Sequence, residues 1–97
     1  MARIEYAARV TEDYTRIVLH LLAHDAARIH ERIEAIESAI GVLATSPEIG
    51  RSVGDGQREL VIGKGPHGYV ARYRYQSGFD MVLVLAIRAQ REGRYRG

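Results

Sequence analysis

The sequence predicts an α+β domain of element order β-α-α-β-β-β, with a two-helix hairpin packed on one face of a small antiparallel sheet. Three observations predict it. Two successive segments place apolar residues at helical spacing, and the joint between them is only one or two residues. Three strand-length segments then follow, separated by turns short enough for antiparallel hairpins. At 97 residues the chain is one domain, spanning 1–97, with a single core.

The first strand is read at residues 2–7, where Ile4 and Tyr6 alternate with Arg3 and Glu5. Over 9–23, Val10, Tyr14, Ile17 and Leu21 recur at spacings of four, three and four, and Val18 and Leu22 broaden that stripe. Thr11 or a neighbour is expected to cap this helix, with Glu12 and Asp13 favouring the positive end of its dipole. Asp25 is expected to cap the second helix, whose stripe is Ile29, Ile33, Ile36, Ile40 and Leu43. Arg28, Glu31, Arg32, Glu34 and Glu37 take its solvent side. Ser46-Pro47 ends it, because the residue before proline avoids the helical region. Residues 46–56 read as a turn-rich loop, and the remaining strands fall at 57–63, 68–76 and 80–88.

Charge is distributed unevenly. Residues 1–56 carry six Lys/Arg against nine Asp/Glu, whereas 57–97 carry eight against three. The C-terminal half is therefore the charged working end, and its natural counterpart is an acidic protein segment or a phosphate backbone. Along 68–76, Tyr69, Ala71, Tyr73 and Tyr75 share one face and Val70, Arg72 and Arg74 the other. The tyrosine face is assigned to the helices, leaving the arginines open, since guanidiniums are almost never fully buried without partners. Arg58, Arg72, Arg74, Arg88, Arg91, Arg94 and Tyr95 form the candidate set for contacting a target or partner.

Other chemistries are poorly supplied. The chain has no cysteine, so disulfides, thiolate metal sites and a cysteine nucleophile are excluded. His20 and His24 stand one helical turn apart but have no third ligand at a suitable spacing, so no metal is expected. Gly63-Lys64-Gly65-Pro66-His67-Gly68 spells G-x-G-x-x-G, yet a strand follows it and a proline sits inside, so it reads as a hairpin turn. No cofactor is expected. Apolar runs are short, the longest being Met81 to Ile87, and the alternating charges of the N-terminus give no signal-peptide core. A cytoplasmic protein with no membrane association is the expectation.

Taken together, the element order, Pro47-x-x-Gly50-Arg51, Arg58-Glu59-Leu60, Gly68-Tyr69 through Tyr73-Arg74, and Ile87-Arg88-x-Gln90-Arg91 resemble the RelE/ParE superfamily of bacterial type II toxins. The resemblance spans nearly the whole chain and implies the toxin of a toxin–antitoxin pair. It also implies growth arrest on release and neutralisation by a cognate antitoxin, ParD-like and DNA-binding, through which alone the pair would reach operator DNA. RelE-like members cut messenger RNA on the ribosome, and ParE-like members inhibit DNA gyrase. Matching motif to motif, the basic positions of the cleaving branch fall on Val61, Gly63 and Val70, and a histidine position falls on Ala89. Arg91 matches a basic position, and Tyr95 stands near a terminal tyrosine. Cleavage at a 2′-hydroxyl needs a proton acceptor, which arginine, always protonated, does not provide. The favoured reading is a non-enzymatic, ParE-like gyrase inhibitor. The alternative is a ribosome-dependent ribonuclease using Arg72, Arg91 and Tyr95.

Overall fold

The computed structural model describes residues 1–90. Its elements are β1 (Arg3–Tyr6), α1 (Arg9–His24), α2 (Ile29–Val42), β2 (Arg51–Gly54), β3 (Gln57–Ile62), β4 (Tyr69–Gln76) and β5 (Met81–Ala89). The strands make one sheet of order β1-β5-β4-β3-β2. Both helices cover one face, α1 lying against β5 and α2 against β3.

Two features depart from the expected sheet. β1 runs parallel to β5, with Arg3 beside Met81 and Tyr6 beside Val84, so the sheet is mixed. No local turn joins those strands, and only the tertiary fold sets the direction of their pairing. β2 is an additional edge strand inside the expected loop, and it pairs antiparallel with β3. Asp55 and Gly56 turn between them with φ of 53° and 73°. Two successive positive φ angles are what a two-residue hairpin of this hand demands, and Asp-Gly meets that demand at low cost.

The helical stripes are where the spacing predicts. Val10, Ile17 and Leu21 of α1 are buried, Tyr14 is half-buried, and Ile36, Ile40 and Leu43 have no exposed surface. Burying each of those three contributes about 1.5–3 kcal/mol. Leu22 instead faces solvent. The caps also differ. Ala8 precedes α1 with no side-chain cap, and Asp25 pairs with Arg28 and Arg32 across a short 3₁₀ turn instead of capping α2. The Arg28–Glu31 pair forms at 3.7 Å, both side chains exposed, and contributes little.

Tyr69, Ala71 and Tyr73 of β4 face the helices and join Val82, Val84 and Ile87 in the core. Val84 and Ile87 are both fully buried although three residues apart, which regular alternation forbids. A β-bulge resolves this: Tyr73 pairs with Val84 but Arg72 with Ala86, leaving Leu85 as the extra residue. Beyond the end of β1, Asp13 of α1 reaches β5 and accepts the Ile87 N–H at 2.9 Å.

Candidate functional site

The sheet face away from the helices carries the arginines, and the bulge decides which of them. By reversing the alternation of β5 it turns Ile87 into the core and brings Arg88 out, cross-strand from Val70. Without it, Arg88 would point at the helices and meet a desolvation cost. Arg72 and Arg74 of β4 lie on the same open face, as predicted.

At the centre stands Glu59 of β3, paired with Arg72 on one side and Arg51 of β2 on the other. Its Oε2 accepts from Arg72 Nη2 at 2.9 Å, and its Oε1 from Arg51 Nη2 at 3.1 Å. Glu59 is only 7% exposed, whereas the Arg51 side chain is 76% exposed. Burial alone would push the Glu59 carboxyl upward. The hydrogen bonds from Arg72 and Arg51, with the charges of Arg72 and Arg88, outweigh it and hold the carboxyl below its ordinary value. A depressed folded-state pKa contributes stability above the unfolded value of about 4.3, lost as pH falls through the folded value. The stability difference between the native chain and Glu59→Gln should therefore be full above about pH 5 and shrink below about pH 4. Urea titrations across that range check this; a constant difference would mean the carboxylate is not linked to folding.

The other candidates divide. Arg74 lies over the β2–β3 turn, where a Cβ on Gly56 would come within 2.7 Å of its Nη1. Arg88 Nη1 lies 3.5 Å from the carbonyl oxygens of Ala89 and Gln90, at the strand exit. Arg58 does not join them. It projects to the helix side, donates from Nη1 to the carbonyls of Glu48 (3.1 Å) and Gly50 (2.8 Å), and so fastens the loop ahead of β2. Arg91, Arg94 and Tyr95 lie outside the described residues. Sequence reasoning missed Arg51 and Glu59. The signal was present in β3, where Gln57, Glu59 and Val61 alternate with Arg58, Leu60 and Ile62, the last of which is core.

Behind the sheet edge, Arg16, His20, His24, Arg32, His67 and Tyr69 help line a groove of about 750 Å³. The His20 and His24 rings stack with centroids 4.4 Å apart. Among the described residues no group of three or more His, Cys, Asp or Glu side chains is placed to hold a metal. The Gly63–Gly68 segment is a hairpin connection from β3 to β4 containing one 3₁₀ turn. It offers no helix N-terminus for a nucleotide phosphate. Among the described residues no helix is long and apolar enough to cross a membrane.

Residues 4–93 match the family model described as ParE toxin of type II toxin-antitoxin system, parDE. The chain is similar to Toxin RelE3 of Caulobacter vibrioides, 32% identical over 94 residues that cover 97% of this chain and 100% of the relative. It is also similar to Toxin RelE1 of that organism, 34% identical over 68 residues that cover 70% of this chain and 73% of the relative. Among solved structures, the chromosomal ParDE system from P. aeruginosa superposes with a TM-score of 0.75 at 18% identity, covering 92% of this chain and 96% of the other. The intact E. coli RelBE toxin-antitoxin complex gives 0.65 at 13% identity with the same coverage. At those identities the structural likeness establishes the fold.

Proposed function

The chain belongs to the ParE toxin family of type II toxin–antitoxin systems, within the RelE/ParE superfamily, and from that premise we propose that it inhibits DNA gyrase and is neutralised by a ParD-like antitoxin. The observation that carries this reading is the state of Glu59. A general base works best with a pKa near the working pH. The carboxylate at the centre of the arginine face is instead locked between Arg51 and Arg72 and held below its ordinary range. Val61 and Val70 lie on the same face, where the cleaving branch would place basic groups. Such a face binds by charge and hydrogen bonds and has little means to move a proton. The antitoxin is expected to cover this face or the helix hairpin, and to carry the pair to operator DNA.

One observation favours the second reading, messenger RNA cleavage. The similar curated proteins are named RelE3 and RelE1. In that case Arg72, Arg91 and Tyr95 would serve the cut.

The deciding experiment is a gyrase supercoiling assay on relaxed plasmid, using toxin separated from its antitoxin and refolded. Inhibition reversed by antitoxin is the expected result. Unaffected gyrase, together with translation-coupled cuts that disappear in Tyr95→Phe, would transfer the assignment to the ribonuclease. Truncation should begin after Gln90. Ala89 pairs with Tyr69, and the Gln90 N–H donates to the Gly68 carbonyl at 2.9 Å, so both belong to the sheet. Deleting 91–97 is expected to weaken gyrase inhibition at least about tenfold, equivalent to about 1.4 kcal/mol. The truncated chain should keep its circular dichroism spectrum. Full inhibition by that truncated, folded chain would remove the tail from the contact.

A further inference from the structure

We propose that Glu59 determines what the open face accepts: as an internal counter-ion it occupies Arg51 and Arg72 and turns the arginine cluster away from single-stranded nucleic acid. The inference rests on the open face being the contact surface, and it does not depend on gyrase being the target.

The placement carries the argument. Arg51, Glu59 and Arg72 stand side by side on three adjacent strands; on the fourth, Ala86 stands opposite Arg72, and Arg88 lies further along the same face, opposite Val70. Arginines gathered on one face of adjacent strands are the layout of a phosphate-binding surface, since each guanidinium presents a planar fork of donors to an anion. Here the second strand of the row carries a carboxylate instead. Glu59 takes one Nη2 from each flanking arginine, at 3.1 Å and 2.9 Å. Its side chain is 7% exposed and rises from the middle of a strand, so it cannot swing aside to admit a phosphate. An anion approaching the row meets a fixed negative charge at the point where Arg51 and Arg72 would otherwise converge on it.

Among the described residues the same face lacks the other half of single-strand recognition. Bases bind such surfaces by stacking on aromatic rings. The rings of β4 sit on the opposite face, with Tyr69 and Tyr73 buried in the core. Val61 and Val70 hold the corresponding open-face positions. A protein surface is not penalised in this way, because it can offer backbone carbonyls or a single carboxylate to the arginine donors without laying a continuous row of charge across Glu59.

The test is fluorescence anisotropy of the full-length chain with a labelled oligouridylate, titrated at several salt concentrations. Glu59→Gln preserves shape and one acceptor but removes the charge. Removing a like charge a few ångströms from a bound phosphate is expected to tighten binding about tenfold. One added phosphate contact should also steepen the log–log salt dependence by about 0.7. Equal affinity and equal slope for native chain and folded variant would overturn the proposal. A second comparison holds even if Glu59→Gln fails to fold. Arg51 is already matched by Glu59, whereas Arg74 has no ion pair among the described residues. Arg74→Gln should therefore weaken residual RNA binding more than Arg51→Gln, and equal losses would also overturn the proposal. Supercoiling assays on the same preparations keep the two readings apart. Tighter RNA binding by Glu59→Gln with no gyrase inhibition in the native chain would sink the target assignment and leave the role of Glu59 standing.

Discussion

Asp13→Ala is expected to destabilise the chain by about 2–4 kcal/mol, because it strands a buried N–H and strips a part-buried guanidinium of its counter-charge. A domain of this size has only about 5–10 kcal/mol to lose. Asp13 is 1% exposed. Its Oδ2 accepts the Ile87 N–H at 2.9 Å, and its Oδ1 accepts from Arg16 Nη1 at 2.8 Å. Arg16 Nη2 in turn donates to the Ile87 carbonyl at 2.9 Å. The acid and the guanidinium together do for Ile87 what a neighbouring strand would do, at the place where pairing with β1 has stopped at Val84. Alanine would leave a buried N–H without its acceptor and Arg16 without its nearest counter-charge. Asp13→Asn keeps one acceptor but loses the charge and turns an amide NH2 toward either the Ile87 N–H or Arg16, so about 1–3 kcal/mol is expected. Urea denaturation of both variants decides. A loss below about 1 kcal/mol for the alanine variant would mean that β5 does not depend on this pair. The consequence reaches function, because Ile87 sits between the bulge and Arg88. Loosening it would blur the position of the arginine at the strand exit before the whole domain unfolds.

Asp13 also shows where the sequence stops being legible. Its position near the start of a helix suggests a partner of the dipole, and nothing local announces that it is buried against a strand 74 residues away. The isoleucine stripe of α2 needs no such knowledge, because a period of 3.6 is written into the chain and only one face can be covered. The same holds for the hairpins of β3, β4 and β5, whose turns are short. β1 could be recognised as a strand but not as a parallel partner of β5, since direction is fixed by where two helices return the chain. β2 carried its signal in Asp55-Gly56, diluted by a strand with Val53 as its one large apolar residue. The bulge at Leu85 was invisible, because Val, Leu and Ala fill both sides of β5 alike. For the site, Arg72 and Arg74 followed from alternation. Arg58, in the same candidate set, lies on the helix side and fastens the loop, and the pairing of Glu59 with Arg51 depends on β2, which the sequence announced only faintly.

Gly50→Ala is the second substitution expected to cost heavily, by about 3 kcal/mol, and the reason is space. Gly50 is buried between the loop and β4. Its N–H donates to the Tyr73 hydroxyl at 2.8 Å, and its carbonyl accepts from Arg58 at 2.8 Å. A Cβ there would lie 2.7 Å from both Cε1 and the hydroxyl oxygen of Tyr73 and 2.9 Å from the Glu59 carbonyl oxygen. Tyr73 is fully buried and Glu59 contributes backbone, so neither yields freely. Overpacking of this kind costs about 1–3 kcal/mol. Moving the loop to relieve it would also break the hydrogen bond to Tyr73, stranding a buried donor at about 1–3 kcal/mol. Tyr73→Phe removes only the oxygen and should cost about 1–2 kcal/mol. Combining the two separates clash from hydrogen bond. With the hydroxyl absent, the new methyl has one obstacle fewer and no bond left to break. The double variant should therefore lose less than the sum of the singles, by at least about 1 kcal/mol. Additivity within about 0.5 kcal/mol would show that the methyl is accommodated without disturbing Tyr73. If the coupling is found, the loop that delivers Arg51 to Glu59 is anchored from inside the core, and the geometry of the arginine face depends on a contact made on the opposite side of the sheet.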